Sequence, residues 1–237
     1  MIVGLLFPGE MGAAVGNAVR GEVLWASDGR SDATRRRAAA FRDVGSVDEL
    51  VRRSEVVLSI CPPAIAEDVA RQVFDQGFEG VFVEANAISP ERMRRIATFG
   101  PRVVDGSIVA ASGINLYLAG EAAAEVAGLF GDGEVKAITL DAPVGAASGL
   151  KMAFGGWNKI GIALTAQAHA IARAYGVVEQ LEAEGVPADR LERVADRAWR
   201  WAPEMEEIAD LCRELGLSEA IPRGAAEFYR ALSEERG

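Results

Sequence analysis

The chain opens MIVGLLFPGEMG, a short apolar run that enters a turn containing Gly9 and Gly12, and Ala13, Ala14, Val15 and Gly16 follow as a small-residue helix start. No other feature limits the fold as tightly. An apolar run that ends in a glycine turn and passes at once into a helix reads as a buried parallel strand. The unpaired N–H groups of the helix then point at whatever sits over the turn. A dinucleotide pyrophosphate suits that place. The spacing departs from G-x-G-x-x-G. Counting back from Gly9 and Gly12, Phe7 stands where the first glycine belongs, and Gly4 lies inside the strand.

The first half continues the alternation. Apolar strands are expected at residues 1–6, 22–27 (EVLWAS), 55–60 (EVVLSI), 80–85 (GVFVEA) and 102–106 (RVVDG). Helices are expected at about 10–20, 31–42, 47–53, 64–76 and 90–97. Continuous apolar strands separated by helices imply a mainly parallel sheet covered on both faces, an α/β Rossmann-type doubly wound domain. Further strands are expected at 116–119 and 137–140, with a helix at 121–131 between them. From 145 to 175 almost nothing breaks a helix, and about 30 residues would span about 45 Å. This stretch is small and apolar on nearly all sides, which predicts burial all round. Helices follow at 177–185, 187–201, 203–215 and 223–233, with Pro203 at a first turn. The expected division is residues 1–142 as a dinucleotide-binding domain and 143–237 as an all-helical domain entered by a long interdomain helix. An apolar stripe left uncovered on that helix calls for a partner, and a second copy across a twofold axis is the simplest.

Composition removes several function classes. The formal charge is −10 over 237 residues, so a basic face for nucleic acid is absent from the overall balance. One histidine and two distant cysteines, Cys61 and Cys212, are too few for a zinc or iron centre, and no metal is expected. No apolar run reaches the roughly 18 residues of a membrane span, and the N-terminus lacks the basic start of a signal peptide; the cytoplasm is expected.

Particular residues carry the chemistry. Phe7, Pro8, Gly9, Glu10, Met11 and Gly12 form the expected cofactor turn. Beyond the second strand, Ser27, Asp28, Arg30 and Ser31 stand where an adenosine ribose would lie. Asp28 suits the bare 2′-hydroxyl of NAD; Ser27, Arg30 and Ser31 suit the 2′-phosphate of NADP, which is preferred. Cys61, Pro62 and Pro63 close the third strand and Asn86 follows the fourth, all at the carboxyl edge where ligand crevices form. Only three of 25 basic residues are lysines, and Lys151 lies in the apolar helix between Leu150 and Met152. A lysine there reaches solvent along its stem or faces a polar cavity, where it is a good proton donor to a carbonyl oxygen or imine nitrogen.

These residues in this order resemble the β-hydroxyacid dehydrogenase superfamily, which includes 3-hydroxyisobutyrate dehydrogenases, 6-phosphogluconate dehydrogenases and imine reductases. IVGLLFPGEMGAAV is similar to its cofactor turn, CPP and VEANAISP to its third and fourth strand ends, and VVDGSIVA to its substrate loop. PVGAASGLKMAFGGWNK resembles the helix bearing the catalytic lysine, which maps onto Lys151. GLKMAFGGWNK and APEMEEIA look like a phosphogluconate-dehydrogenase-like branch with a distinctive C-terminal domain. The resemblance implies a nicotinamide cofactor, a cleft active site, a homodimer formed through the helical domain, and a substrate loop at 105–113 containing Asp105, Ser107, Val109 and Ser112. Val109 replaces a serine and Gly155 an asparagine of the pattern. Asn158 lies on a similar helical face, and Trp157 is less than two turns beyond Lys151.

Two functions follow. One is an NAD(P)-dependent dehydrogenase or reductase acting on a small hydroxyacid, ketoacid or imine, with Lys151 as proton carrier. The other is a non-catalytic dinucleotide-binding sensor or dimeric assembly protein.

Overall fold

The structure, a computed structural model, describes residues 1–189, 191 and 194–234. In chain order the elements are β1 (Ile2–Leu6), α1 (Glu10–Asn17), β2 (Glu22–Trp25), α2 (Asp32–Arg37), β3 (Arg42–Asp43), α3 (Val47–Arg53), β4 (Val56–Ser59), α4 (Ala66–Phe74), β5 (Val81–Glu84), α5 (Pro90–Ala97), β6 (Val103–Ala110), β7 (Ile114–Ala119), α6 (Ala123–Ala127) and β8 (Val135–Thr139). Then come α7 (Ala146–Tyr175), α8 (Val178–Ala183), α9 (Val194–Glu214) and α10 (Ala220–Glu234). The chain divides into two compact units, Met1–Lys151 and Met152–Gly237.

In the first unit the eight strands form one sheet in the order β3-β2-β1-β4-β5-β6-β7-β8. All neighbours are parallel except β6 and β7, which form an antiparallel hairpin. The order reverses between β1 and β4, the switch point at which open α/β sheets leave a crevice. Side chains alternate across the pleat. Val3, Leu5, Trp25, Leu58 and Val83 meet α1 and α6 through Ala13, Val15, Ala123 and Val126. Leu6, Val57, Phe82 and Val103 meet α3, α4 and α5 through Leu50, Val69, Val73, Met93 and Ile96. Both faces are dry along β1, β2, β4, β5 and β6, which is why those strands read as nearly unbroken apolar runs.

Several boundaries differ from expectation. The helix expected at 31–42 ends at Arg37, and Arg42–Asp43 pairs with β2 instead. That two-residue strand is too short to leave a periodic signal. The strand expected to stop at 106 continues to Ala110, because β7 pairs with it from Asp105 to Ala110. Most of the expected 105–113 loop is therefore strand, and the turn is confined to 111–113.

In the second unit α9 and α10 pack around Trp201 and Tyr229, whose rings meet edge-on at 5.3 Å, and the Tyr229 hydroxyl donates to the Lys159 carbonyl at 2.6 Å. The expected break before Pro203 is absent: Pro203 lies inside α9. Proline removes one N–H from a helix ladder, but Trp201, Ala202, Met205, Ile208 and Ala209 are buried on either side of it and hold the helix through. Part of the helix expected at 187–201, namely Arg190, Glu192 and Arg193, falls outside the described residues.

α7 spans 30 residues, as its sequence implies. It is not buried all round. Leu150, Trp157, Leu164 and Ile171 are exposed at seven-residue intervals, with Trp157 70% and Leu164 68% accessible, and Tyr175 is exposed one turn past Ile171. Among the described residues no helix is long and apolar enough to cross a membrane.

Candidate active site at the carboxyl edge of the sheet

The turn after β1 is tight. Phe7 has φ +61°, the only positive φ outside glycine among the described residues. The Gly9 N–H donates to the Phe7 carbonyl at 2.7 Å, and Pro8 is buried between them. The two glycines serve different ends. A Cβ on Gly12 would lie 2.8 Å from the Phe7 carbonyl, so Gly12 lets α1 pack onto the turn. A Cβ on Gly9 would meet nothing within 4 Å, so the backbone there faces open space. Gly9 is the N-cap of α1 and supplies no side-chain hydrogen bond. Met11 packs against the core and Glu10 is exposed in the first turn.

The loop after β2 is held mostly by its own groups. The Ser27 carbonyl accepts from Arg35 Nη2 at 2.8 Å, and Ser27 also bonds Asp43, whose carboxyl lies below its usual range. Burial opposes that lowering of Asp43; the Gly45 N–H and Ser27 produce it. Ser31 caps α2 by accepting from the Thr34 N–H at 3.3 Å. Arg30 turns back to stack on Phe7, its Cζ 3.8 Å from the ring centroid.

A buried polar row crosses the α3/α4/α5 face at the ends of the central strands. Ser59, Glu84 and Asp105 are in register on β4, β5 and β6, and Ser107 lies two residues beyond on the same face. Glu84 is 1% exposed. Its Oε1 accepts from the Asn86 N–H at 3.1 Å and from the Asn86 side-chain amide. Asn86 Nδ2 also lies 3.2 Å from Cys61 Sγ and 3.4 Å from Ser59 Oγ. The Asn86 amide nitrogen is thus turned inward. Burial pushes the Glu84 carboxyl up to about 8, against these hydrogen bonds, so it is largely protonated at neutral pH. The Cys61 thiol is pushed up to about 11, by burial first and then by Glu84, which makes it an inert thiol. Glu84 Oε2 and Ser107 Oγ are buried without a hydrogen-bond partner among the described residues. Pro62 and Pro63 are exposed; Pro63 opens a single 3₁₀ turn, and its carbonyl accepts from Arg92 Nη2 at 2.8 Å.

Asp105 is fully buried and ties β6 to the first turn of α7. Its carboxylate accepts from the Gly145 N–H at 2.8 Å, the Ser148 N–H at 3.1 Å and the Ser148 hydroxyl at 2.7 Å. Burial still raises its affinity for a proton. Lys151 follows Ser148 by three residues, and its ammonium donates to the Ile108 carbonyl of β6 at 2.5 Å. Val109 is buried on the strand and Ser112 is exposed in the hairpin turn.

The structure therefore gathers the glycine turn, Cys61, Asn86, Asp105, Ser107 and Lys151 on the first unit. Gly155, Trp157 and Asn158 belong to the second. There Glu204 Oε1 sits 2.7 Å from where a Cβ on Gly155 would be, and Lys159 pairs with that carboxylate at 2.6 Å. The space opened by the missing side chain is thus filled by a carboxylate from α9. Sequence reasoning missed Ser59, Glu84 and Ser148. An acid closing an apolar strand (VFVE) and a serine one turn before Lys151 were the available signals.

Residues 172–232 match the model of a family described as a domain of unknown function (DUF1932). No curated protein sequence is significantly similar to the chain. Among solved structures, the conserved protein MTH1747, of unknown function and described as structurally similar to 3-hydroxyacid dehydrogenases, is 23% identical with TM-score 0.77, covering 100% of this chain and 98% of that one. A 3-hydroxyisobutyrate dehydrogenase of Mycobacterium tuberculosis, solved with L-serine, is 14% identical with TM-score 0.76, covering 99% and 94%. An imine reductase variant from Myxococcus stipitatus, in complex with NAD+, is 21% identical with TM-score 0.58, covering 99% and 94%. The strand order, the helix-covered sheet and the helical C-terminal region are those of the 3-hydroxyacid dehydrogenase fold, with a DUF1932 domain in its C-terminal part.

Proposed function

We propose that the protein is an NAD(P)-dependent oxidoreductase that moves hydride between a nicotinamide and a small hydroxyacid, ketoacid or imine substrate. The observation that carries this reading is the Lys151 ammonium held on the β6 carbonyl of Ile108, on the same unit as an open glycine turn. The turn fits a dinucleotide: Gly9 leaves its backbone accessible, and α1 begins without a side-chain cap, so its first N–H groups suit a pyrophosphate. A bound nicotinamide supplies the hydride; the protein supplies position and a proton. Ile108 fixes the direction of the ammonium, and Asp105, through Ser148, fixes the helical turn that carries it. Lys151 then gives a proton to the substrate oxygen or nitrogen, or takes one back. Asn86, clamped by Glu84, orients the nicotinamide end. Asp105, Ser107, Val109 and Ser112 on the β6–β7 hairpin line the substrate region of the first unit in this reading, and Gly155, Trp157 and Asn158 are the substrate candidates carried by the second. Ser27, Arg30 and Ser31 favour NADP over NAD.

The same reading divides the chain functionally near residue 142 and seats a second copy on α7. The seven-residue spacing of Leu150, Trp157, Leu164 and Ile171 is that of a helix–helix seam.

The test is substrate-dependent oxidation or reduction of NAD(P), run with hydroxyacids, ketoacids and cyclic imines. Binding of either dinucleotide with no turnover across that panel would favour the sensor or assembly role instead.

A further inference from the structure

Phe7 holds a backbone conformation that L-residues avoid, at the position where a dinucleotide turn ordinarily carries glycine. The aromatic side chain is in use there. The Arg30 guanidinium sits over its ring, with Cζ 3.8 Å from the centroid. Arg30 Nε is buried with no hydrogen-bond partner among the described residues, and burial draws the guanidinium below its ordinary value. Desolvation disfavours the charged form, so a partly buried cation of this kind is stabilised by an anion brought to it.

The position says which anion. β1 and β2 are parallel neighbours, with Leu5 opposite Trp25, so the Phe7 turn and the Arg30 loop leave the same edge of the sheet. A dinucleotide whose pyrophosphate lies over Gly9 places its adenosine ribose beside the end of β2. We propose that Phe7 is a positioning residue that replaces the turn's glycine in order to shelve Arg30, and that Arg30 so held reads a phosphate monoester on the adenosine ribose. The inference rests on the dinucleotide reading above and deepens it to a selective element for NADP. A planar guanidinium fork suits a phosphate dianion.

Two phosphates of the same ligand are candidates, the 2′-phosphate and the pyrophosphate, and only the first separates NADP from NAD. The experiment is therefore fluorescence titration of the intact protein with NADP and with NAD, read as the ratio of the two Kd values. A ratio is unaffected by the fraction of a variant that folds. Wild type is expected to favour NADP. Arg30→Gln should cut that ratio by about tenfold or more, the scale of a hydrogen bond to a charged group. Phe7→Leu should cut it about threefold to tenfold, the scale of a cation–π contact, while Phe7→Tyr, which keeps a ring at the same strained backbone, should retain it. The proposal is overturned if Arg30→Gln weakens NADP and NAD equally, which assigns Arg30 to the pyrophosphate, or if Leu and Tyr at position 7 give the same ratio. NAD binding with a ratio insensitive to Arg30 overturns this inference and leaves the dinucleotide reading standing. Binding of neither dinucleotide to wild type overturns both.

Discussion

Two helices begin at the carboxyl edge of the sheet, and they begin differently. α7 starts on a buried carboxylate: Asp105 accepts from Gly145 and twice from Ser148, so the first turn is closed by the protein itself. α1 starts on Gly9, which offers no side chain, and the space above it is empty to 4 Å. A helix N-terminus that is internally capped is a structural joint; one left uncapped over open space is available to an anion from outside. In the reading proposed above, the contrast separates the residue that aims Lys151 from the residues that would seat a cofactor.

Breaking the capped start should have the largest effect. Asp105→Ala removes the acceptor for two buried N–H groups and a hydroxyl, and is expected to cost about 3 kcal/mol or more in unfolding free energy. Denaturant unfolding measures it, and a cost under about 1 kcal/mol would mean α7 is held elsewhere. Next is the amine that this start carries. Lys151→Ala should lower turnover by roughly 100-fold or more with the fold intact; near-normal turnover refutes the proton role.

The polar row between the two helix starts supplies a pH test. The Glu84 carboxyl is raised from 4.5 to about 8, so the folded state binds the proton more tightly than the unfolded chain. Its stabilising contribution is therefore complete below about 4.5 and is lost as pH rises toward 8. The slope in that window is at most about 1.4 kcal/mol per pH unit. Glu84→Gln cannot ionise, and its melting temperature should fall less than that of wild type between pH 5 and pH 8. Parallel melting profiles for the two proteins would contradict this.

The uncapped start gives the smallest change in stability and the sharper functional one. Gly9 has φ −70°, which alanine accepts, and its Cβ would meet no protein atom. Gly9→Ala should alter unfolding free energy by less than about 1 kcal/mol, the scale of a surface change at a permitted backbone conformation. It should still weaken dinucleotide binding, because the methyl group would occupy the approach proposed for the pyrophosphate. Unchanged affinity would move the cofactor away from this turn. Separately, Leu164→Glu should reduce the mass seen in sedimentation if a second copy covers α7; an unchanged mass argues against that seam.

The parts legible in the sequence were those dictated by continuous patterns. Strands dry on both faces gave unbroken apolar runs, and α7 runs over Ala146–Tyr175 against an expected 145–175. What escaped depended on partners distant in the chain. β6 extends past Gly106 only because β7 pairs with it. α9 runs through Pro203 because its flanking turns are buried. The exposure of Trp157 and Leu164 was hidden by composition, since a helix that is apolar on every side carries no mark of which side is covered. Within the site, Lys151 and Asp105 were visible as isolated residues. The Asp105 tie to α7 was not, because it joins positions 40 and 43 residues apart.

That tie has a consequence for how the chain tolerates change. Asp105 pins the two ends of an excursion, from β7 through α6 to β8, at one point. The entropy of closing such a loop rises only as the logarithm of its length. Residues inserted at the tip of that excursion, as at Asp132 or Gly133, are therefore free to accumulate without displacing the amine of Lys151. The Lys151 amine is anchored at the base of the loop and is indifferent to its size.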